Sequence, residues 1–187
     1  MEKTALVLEG GSFRCVFTAG VLHAIEEKGI NISCLIGVSA GSMSAMNFAA
    51  GHAKRTADVS LQFAGDPRYM SLRNFLHKRS VFDFEFLFGE ISHTLLPFDY
   101  QAYEKNSMRV VSVSTDCLTG KPVYHEKEKS EDHFLACRAS SSMPLFAKIV
   151  QVDGHLCLDG AISMPVPYQW ALDEGYCTTL VLTREYG

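Results

Sequence analysis

Several features that would assign the chain to a common class of protein are absent from its sequence. Positive charge is not in surplus, because 21 aspartates and glutamates outnumber 17 lysines and arginines, and this balance argues against a nucleic-acid partner. No apolar run approaches the roughly 18 residues of a membrane span, so any membrane contact is expected to be peripheral. The first apolar run, residues 5–8, is also too short for a signal peptide.

The six cysteines include no Cys-x-x-Cys pair, which disfavours a zinc site or a redox-active pair. Reduced thiols in a cytoplasmic protein are the simplest interpretation. No group of side chains has the spacing of a metal site either, so we expect no metal and no other cofactor. The length of 187 residues, 47% of them hydrophobic, is enough for one domain with a substantial core.

The sequence does contain two strand–turn–helix units within its first 53 residues. Residues 4–8 and 34–38 are short apolar runs typical of buried strands. Helices are predicted over residues 13–28, ending at Gly29, and over residues 41–53. Repeated units of this kind indicate an α/β architecture with a largely parallel sheet.

The rest of the chain predicts further elements and contains no linker, so we expect a single domain over residues 1–187. Short helices are expected within residues 54–107, although four phenylalanines at alternate positions favour a strand over residues 81–88. Other strands are predicted over residues 109–114, 122–125, 149–152, 155–158 and 178–182. Further helices are predicted over residues 130–139, capped by Ser130, and 167–175. Asp153-Gly154 is typical of a hairpin turn.

A Gly-x-Ser-x-Gly pentapeptide, Gly37-Val38-Ser39-Ala40-Gly41, lies between the second predicted strand and the second predicted helix. A serine on such a sharp turn is lifted clear of its neighbours, and its hydroxyl points into a cleft. Gly37 and Gly41 allow the strand and the helix to pass close together. A serine alcohol is a poor nucleophile by itself, so Ser39 needs a base to activate it.

A histidine is one candidate for that base, in a Ser-His-Asp triad such as Asp116 with His133 or His155. The surroundings of the histidines favour structural roles instead. A run of charged residues follows His125, His133 lies on a predicted surface helix, and His155 lies on a hairpin strand.

Asp159 is the other candidate, because it ends a predicted strand and precedes Gly160-Ala161. Functional groups of α/β sheets are found at such strand ends. No histidine follows Asp159, so it would act on Ser39 directly or with an upstream histidine. A free aspartate, with a pKa of about 3.9, is a weak base, and desolvation in an apolar cleft would raise that pKa.

Gly10, Gly11 and Ser12 form a candidate oxyanion site, because they follow a strand and open a helix. Backbone amides there point to one spot, and the helix dipole adds positive potential. The patterns of a P-loop and of a dinucleotide-binding loop are both absent. Arg14 either contacts the phosphate of a lipid head group or forms a salt bridge that holds the loop.

Three motifs in this order resemble those of the patatin-like phospholipase family. Family members carry a Gly-Gly-Gly-x-Arg/Lys-Gly loop, a Gly-x-Ser-x-Gly and an Asp-Gly-Gly or Asp-Gly-Ala. Here these motifs are residues 10–15, 37–41 and 159–161. The segments 19–22, 115–120, 139–144 and 165–167 also resemble the family, and the likeness is weakest over residues 54–107.

The resemblance implies a three-layer α/β/α fold and hydrolysis of acyl esters, often those of lipids or phospholipids. It implies a Ser–Asp dyad in which Ser39 is the nucleophile and Asp159 is the base. The amides around Gly10, Gly11 and Ser12 would bind the oxyanion, with Gly37, Gly41 and Gly160 supporting the motifs. Compared with members of the family that it resembles, the chain is short, so we expect a domain truncated at its C-terminal end.

Two departures from the family pattern keep other functions open, because Ser12 and Cys15 replace glycines. If position 12 needs a positive φ, serine there costs about 1 kcal/mol or more and rotates an amide away from the oxyanion. The alternatives are a soluble esterase or thioesterase with a Ser-His-Asp triad, and a catalytically weak lipid-binding module. The phenylalanine-rich segment 82–88 either lines an acyl-chain groove or belongs to the core.

Overall fold

The computed structural model describes residues 3–182, and within this range the chain forms one seven-stranded sheet flanked by helices. The strands are β1 (Thr4–Leu8), β2 (Cys34–Val38), β3 (Arg109–Asp116), β4 (Pro122–Glu126), β5 (Val150–Val152), β6 (His155–Asp159) and β7 (Thr178–Leu182). The α-helices are α1 (Cys15–Glu27), α2 (Ala40–Ala49), α3 (Arg55–Phe63), α4 (Leu72–Lys78), α5 (Tyr100–Lys105), α6 (His133–Ser140) and α7 (Tyr168–Asp173). A π-helix spans Phe86–Leu95, and 3₁₀ turns span Ser12–Arg14 and Gly160–Ile162.

The sheet is mixed, with a parallel centre. Its strand order is β5-β6-β3-β2-β1-β7, and β4 pairs with β3. The pairs β1/β2, β1/β7 and β2/β3 are parallel, whereas β4, β5 and β6 join by antiparallel pairing. The prediction of an α/β fold with a largely parallel sheet is therefore confirmed.

The last residues of β2 and β6 meet on the same edge of β3. On one edge, β4 pairs with residues 111–115 of β3. On the other edge, β2 pairs with residues 109–113 and ends at Val38, which lies opposite Val113. Since β4 already occupies one edge at Ser114, the pair between Ser114 and Asp159 must lie on the β2 edge. The end of β2 therefore meets the end of β6.

Alternating side chains of the strands fill two apolar layers, one on each side of the sheet. Leu6, Leu8 and Leu35 pack with α1 and α2 on one side. Val7 and Ile36 pack with residues of α7 on the other side. Helices thus cover both faces of the central strands, as the three-layer expectation requires.

The strand predicted over residues 81–88 is wrong, because this segment leads into the π-helix Phe86–Leu95. The Asp83 carboxylate accepts hydrogen bonds from the backbone N–H groups of Glu85 and Phe86, which starts the helix. Phe84, Leu87 and Ile91 are buried at helical spacing. The alternation of phenylalanines is therefore not that of a strand, because packing against neighbouring helices favours a helical backbone here.

The cap predicted for α6 is also wrong. The helix begins at His133, and the side chain of Asp132, rather than that of Ser130, accepts the N–H of Leu135 at 3.0 Å. Ser130 instead donates to Asp153 of the hairpin between β5 and β6. That hairpin is confirmed, with positive φ at both Asp153 and Gly154.

Gly160 provides a test of the junction on β3. A Cβ at this position would lie 2.1 Å from the carbonyl oxygen of Val113, a backbone atom that cannot rotate away. We expect Gly160→Ala to lower the free energy of unfolding by about 1–3 kcal/mol, measured by urea denaturation. Gly20→Ala in α1 is the matched control, because a Cβ there has no atom within 4 Å. This substitution should raise the free energy of unfolding by about 0.5–1 kcal/mol. Equal stability of Gly160→Ala and wild type would contradict the close approach.

Candidate active site

Ser39 occupies a strained turn between β2 and α2. Its φ of 55° and ψ of −124° lie outside the regions that serine ordinarily adopts. A Cβ on Gly41 would lie 2.2 Å from the Leu8 carbonyl oxygen, and one on Gly37 would lie 2.5 Å from the backbone of Gly41. Only glycines therefore allow α2 to start so close to β1 and β2, and this approach fixes the direction of the Ser39 side chain.

A buried serine on α6 holds the backbone of this turn. The N–H of Ser39 donates to Oγ of Ser140 at 2.8 Å, and Ser140 donates in turn to the carbonyl oxygen of Val113. Ser140 has no exposed surface. Sequence reasoning assigned Ser140 no role, although it lies in the segment 139–144 that resembles the family.

Asp159 ends β6 beside this turn, and only 3% of the residue is exposed. Its carboxylate accepts a hydrogen bond from the N–H of Ala161 at 2.9 Å, and the side chain of Ser39 lies close enough to interact with it. Burial raises its pKa to about 6, although both interactions act in the opposite direction. The fold thus brings together the two side chains that the sequence singled out.

The backbone of Asp159 is fixed from two sides. Its N–H donates to the carbonyl oxygen of Ser142 at 2.8 Å. Its own carbonyl oxygen accepts the hydroxyl of Thr115 at 2.9 Å. Because Ser140 holds Ser39 and Ser142 holds Asp159, the end of α6 and the residues after it position both side chains.

The glycine loop after β1 lies directly against Ser39. A Cβ on Gly10 would lie 2.8 Å from the Cβ of Ser39. Gly11 has φ 145° and Ser12 has φ 50°, so position 12 adopts the positive φ considered from the sequence. A left-handed serine costs roughly 1–2 kcal/mol relative to glycine. Arg14 is exposed at the end of the 3₁₀ turn that follows.

An apolar cavity of about 80 Å³ opens at Ser39 and continues between α2, α3 and the π-helix. Met43 and Met46 of α2 line it, together with Val59 of α3 and Leu87 of the π-helix. Phe82, Phe84 and Phe88 also line it while packing in an apolar cluster. The phenylalanine-rich segment therefore belongs to the core and to the cavity wall at the same time.

His125 forms a Ser-His-Asp relay that does not include Ser39. Its Nε2 is 2.7 Å from Oγ of Ser114, and its Nδ1 is 2.6 Å from a carboxylate oxygen of Asp153. Burial lowers the pKa of His125 below its ordinary value, while Asp153 acts in the opposite direction. Because Ser114 and His125 are at most 1% exposed, an ester cannot reach this relay.

The other two histidines considered for a triad have structural partners. His133 is buried rather than exposed as expected, with Nδ1 2.7 Å from the hydroxyl of Tyr103. Burial lowers its pKa to about 4, so its ring is neutral at pH 7. His155 pairs with Asp116 at 2.6 Å, one of the combinations named from the sequence. His155 lies four residues before Asp159 on β6, about 13 Å along the strand.

Comparison with known proteins places the chain in a family. Residues 6–172 match the family model described as "Patatin-like phospholipase". The chain therefore belongs to the patatin-like phospholipase family, which confirms the resemblance drawn from its three motifs.

Curated relatives of the chain are longer than it is. An uncharacterized NTE family protein of Mycobacterium tuberculosis is 29% identical, with the match covering 88% of this chain and 44% of that protein. The uncharacterized protein YjjU of Escherichia coli is 25% identical, over 96% of this chain and 51% of that protein. The chain thus spans about half the length of these relatives.

Among solved structures, VipD of Legionella pneumophila shares the fold with a TM-score of 0.54. The match covers 86% of this chain and 46% of that chain at 14% identity. This likeness concerns the fold alone.

The raised pKa of Asp159 predicts a pH-dependent gain in stability for Asp159→Asn. The folded-state pKa of about 6 exceeds the unfolded value of about 3.9, so burial of the ionised carboxylate destabilises the fold fully above pH 6. This cost disappears as pH falls toward 4. The substitution should therefore raise the free energy of unfolding by up to about 2–3 kcal/mol at pH 8, and by progressively less toward pH 5.

Urea denaturation at pH 5, 6, 7 and 8 measures this gain. Asp173→Asn, on the exposed surface of α7, is the matched control and should show no such trend. A gain in the free energy of unfolding for Asp159→Asn that is absent at pH 8, or equal at all four pH values, would contradict a buried carboxyl group with a raised pKa.

Proposed function

We propose that the protein is a serine hydrolase of lipid or phospholipid acyl esters that works through a Ser39–Asp159 dyad. The observation that carries this proposal is the approach of the Ser39 side chain to the buried Asp159 carboxylate, at the point where the ends of β2 and β6 meet. Ser39 also lines an apolar cavity. Membership of the patatin-like phospholipase family supports the same reaction class.

Asp159 acts as the general base of the first step. Above pH 6 its carboxylate is ionised and accepts the proton of Ser39 as Oγ forms a bond to the ester carbonyl carbon. The tetrahedral intermediate then collapses, and the alcohol leaves with the proton that Asp159 holds. A water molecule attacks the acyl-serine in the second step, with Asp159 again taking the proton. The bond between the acyl carbon and Oγ of Ser39 then breaks, the carboxylic acid leaves, and Asp159 returns the proton to Oγ.

The backbone amides of Gly10, Gly11 and Ser12 bind the oxyanion in this proposal. The position of Gly10 directly against Ser39 supports this assignment, because backbone N–H groups beside the nucleophile can stabilise a developing oxyanion. Arg14 follows on the exposed side, where it is available to the phosphate of a head group. The left-handed backbone of Ser12 is the weak point of this loop and is the reason for keeping a lipid-binding module as the alternative.

The apolar cavity takes the acyl chain. Met43 and Met46 border it on the helix that starts at Ser39, and methionine adapts readily to irregular apolar ligands. A Ser-His-Asp triad is disfavoured because His125 serves Ser114, and His133 and His155 have partners of their own. The dyad therefore remains the mechanism that the geometry supports best.

A surface beside the opening supports contact with anionic lipid. We name it the α4 surface, and it combines exposed leucine and isoleucine side chains with exposed cations: Leu72, Leu76, Leu145, Ile149, Arg73, Arg79 and Lys148. Phe75 and Phe146 pack together at 6.3 Å and join α4 to the segment that carries Met143. Met143 is exposed and lines the cavity, so docking of the α4 surface would bring lipid to the opening.

This contact would be peripheral, since no helix within residues 3–182 is long and apolar enough to cross a membrane. Basic side chains attract the anionic leaflet while leucines insert at the headgroup boundary. We propose the cytoplasm as the compartment, where buried thiols such as those of Cys34 and Cys137 stay reduced.

A fluorophosphonate probe tests the dyad. The probe should label Ser39, and Ser39→Ala should abolish both labelling and hydrolysis of short p-nitrophenyl esters. Asp159→Asn should lower kcat about 10²- to 10⁴-fold because the base is lost. In the wild type, kcat/KM should fall as pH drops below about 6, where Asp159 becomes protonated.

Ser114→Ala and His125→Ala are the matched controls, because they disrupt the buried relay and leave the dyad intact. Loss of labelling in these controls, with Ser39→Ala still labelled, would overturn the dyad. A folded wild type that binds lipid but neither reacts with the probe nor hydrolyses any ester would favour the lipid-binding module.

Vesicle sedimentation tests the α4 surface. The double variant Leu72→Ser/Leu76→Ser should bind phosphatidylglycerol vesicles at least about tenfold more weakly, because each buried leucine contributes about 1.5–3 kcal/mol. Hydrolysis of a water-soluble short ester should not change. Leu118→Ser removes an equally exposed leucine outside this surface and should bind like wild type. Equal binding of the double variant and the wild type would exclude this surface.

A further inference from the structure

The end of the cavity remote from Ser39 contains a buried arginine. Arg55 is the first residue of α3, is only 7% exposed and lines the cavity. Arginine is almost never buried to this extent without a charged partner, because removing its charge from water is costly. The question is therefore which group compensates the Arg55 guanidinium.

Its protein partners are all uncharged. Nε and Nη2 donate to the carbonyl oxygen of Leu96 at 3.1 and 2.7 Å. Nη1 donates to Oδ1 of Asn47 at 3.1 Å, and Nη2 also donates to Oγ of Ser92 at 3.0 Å. The ring of Phe98 lies 5.5 Å from the guanidinium carbon. Within residues 3–182, no carboxylate forms an ion pair with Arg55.

These contacts leave the positive charge of the Arg55 guanidinium uncompensated and one of its N–H groups without an acceptor within residues 3–182. A guanidinium has five N–H groups, and four hydrogen bonds are described, so one N–H of Nη1 has no partner within residues 3–182. The Leu96 carbonyl follows the π-helix and carries part of its negative dipole, which offsets only a fraction of a full charge. Burial accordingly lowers the pKa of Arg55 below its ordinary value.

The position of Arg55 relative to Ser39 defines the length of the compensating ligand. Arg55 donates a hydrogen bond to Asn47. Asn47 lies eight residues beyond Ser39 along α2, so the two residues are about 12 Å apart at the rise of an α-helix. Met43 and Met46 line the cavity between the two ends. Because an extended alkyl chain advances about 1.25 Å per carbon–carbon bond, roughly nine carbons span about 10 Å, and a hydrogen bond of about 2.9 Å at the end of the chain completes the distance.

We propose that Arg55 binds a carboxylate at the far end of the acyl chain, so that the preferred substrates are esters of medium-length dicarboxylic acids. This inference rests on the proposed function, because the scissile carbonyl must lie at Ser39 for the chain to run into the cavity. The methylene groups lie along the apolar middle, and the terminal carboxylate accepts the unused N–H of Arg55. Thr56 also lines this end and can donate its hydroxyl to the carboxylate, whereas the donors of Asn47 and Ser92 are already used within the protein.

A pair of esters with chains of equal length tests the preference. The mono-p-nitrophenyl ester of nonanedioic acid and the p-nitrophenyl ester of nonanoic acid differ at the far end of the chain only. In the wild type, kcat/KM for the carboxylate-bearing ester should exceed that of the apolar ester at least about tenfold, because a charge-assisted hydrogen bond forms in a dry site. Arg55→Met should abolish or reverse this ratio, and Arg55→Lys should retain part of it.

Arg68→Met is the matched control, because Arg68 also lies over a phenylalanine ring but is exposed and paired with Asp66. This variant should keep the wild-type ratio. A wild type that hydrolyses both esters at rates within twofold, or an Arg55→Met variant that slows both equally, would overturn the inference.

Calorimetry separates this inference from the proposed function and covers a failure of Arg55→Met to fold. Ser39→Ala protein should bind the monomethyl ester of nonanedioic acid at least tenfold more tightly than methyl nonanoate, and the difference should shrink at high salt. Equal affinities would overturn the carboxylate site even if ester hydrolysis is found. Tighter binding of the carboxylate-bearing ester without any hydrolysis or probe labelling by the wild type would support the carboxylate site and refute the dyad.

Discussion

The approach of the Ser39 side chain to Asp159 depends on two strand ends that meet on one edge of β3. Val38, at the end of β2, lies opposite Val113, and Asp159, at the end of β6, lies opposite Ser114. Neighbouring positions on one strand therefore place both groups within reach of each other. Gly160 allows β6 to end this close to Val113, and Gly41 allows α2 to leave β2 in the available space.

The features of this arrangement that favour reactivity also lower the stability of the fold. Burial makes Asp159 a stronger base by raising its pKa to about 6, but it also destabilises the ionised form that the proposed reaction needs. The positive φ of Ser39 adds strain at the same place. Hydrogen bonds from the α6 end, through Ser140 and Ser142, hold the two backbones against these costs.

The cavity shows how closely the core and the site share their residues. Phe84 packs in an apolar cluster and also lines the cavity that starts at Ser39. Arg55 ties α3 to α2 and to the end of the π-helix while it places a positive charge at the far end. In the proposed reaction, an apolar middle between Ser39 and Arg55 would select acyl chains by length as well as by polarity.

The sequence by itself determined the central strands and the Ser39 turn, because local patterns specify these features, and it predicted Asp159 as the base from a strand end and a family motif. Short apolar runs define β1 and β2, and no other residue fits at positions 37 and 41, where a Cβ would collide with neighbouring backbone. The π-helix at Phe86–Leu95, the buried His133, and the roles of Ser140 and Arg55 were decided only by tertiary structure. Each depends on a partner more than 25 residues away or on packing between helices, such as Val113 for Ser140 and Leu96 for Arg55, and no local pattern records such contacts.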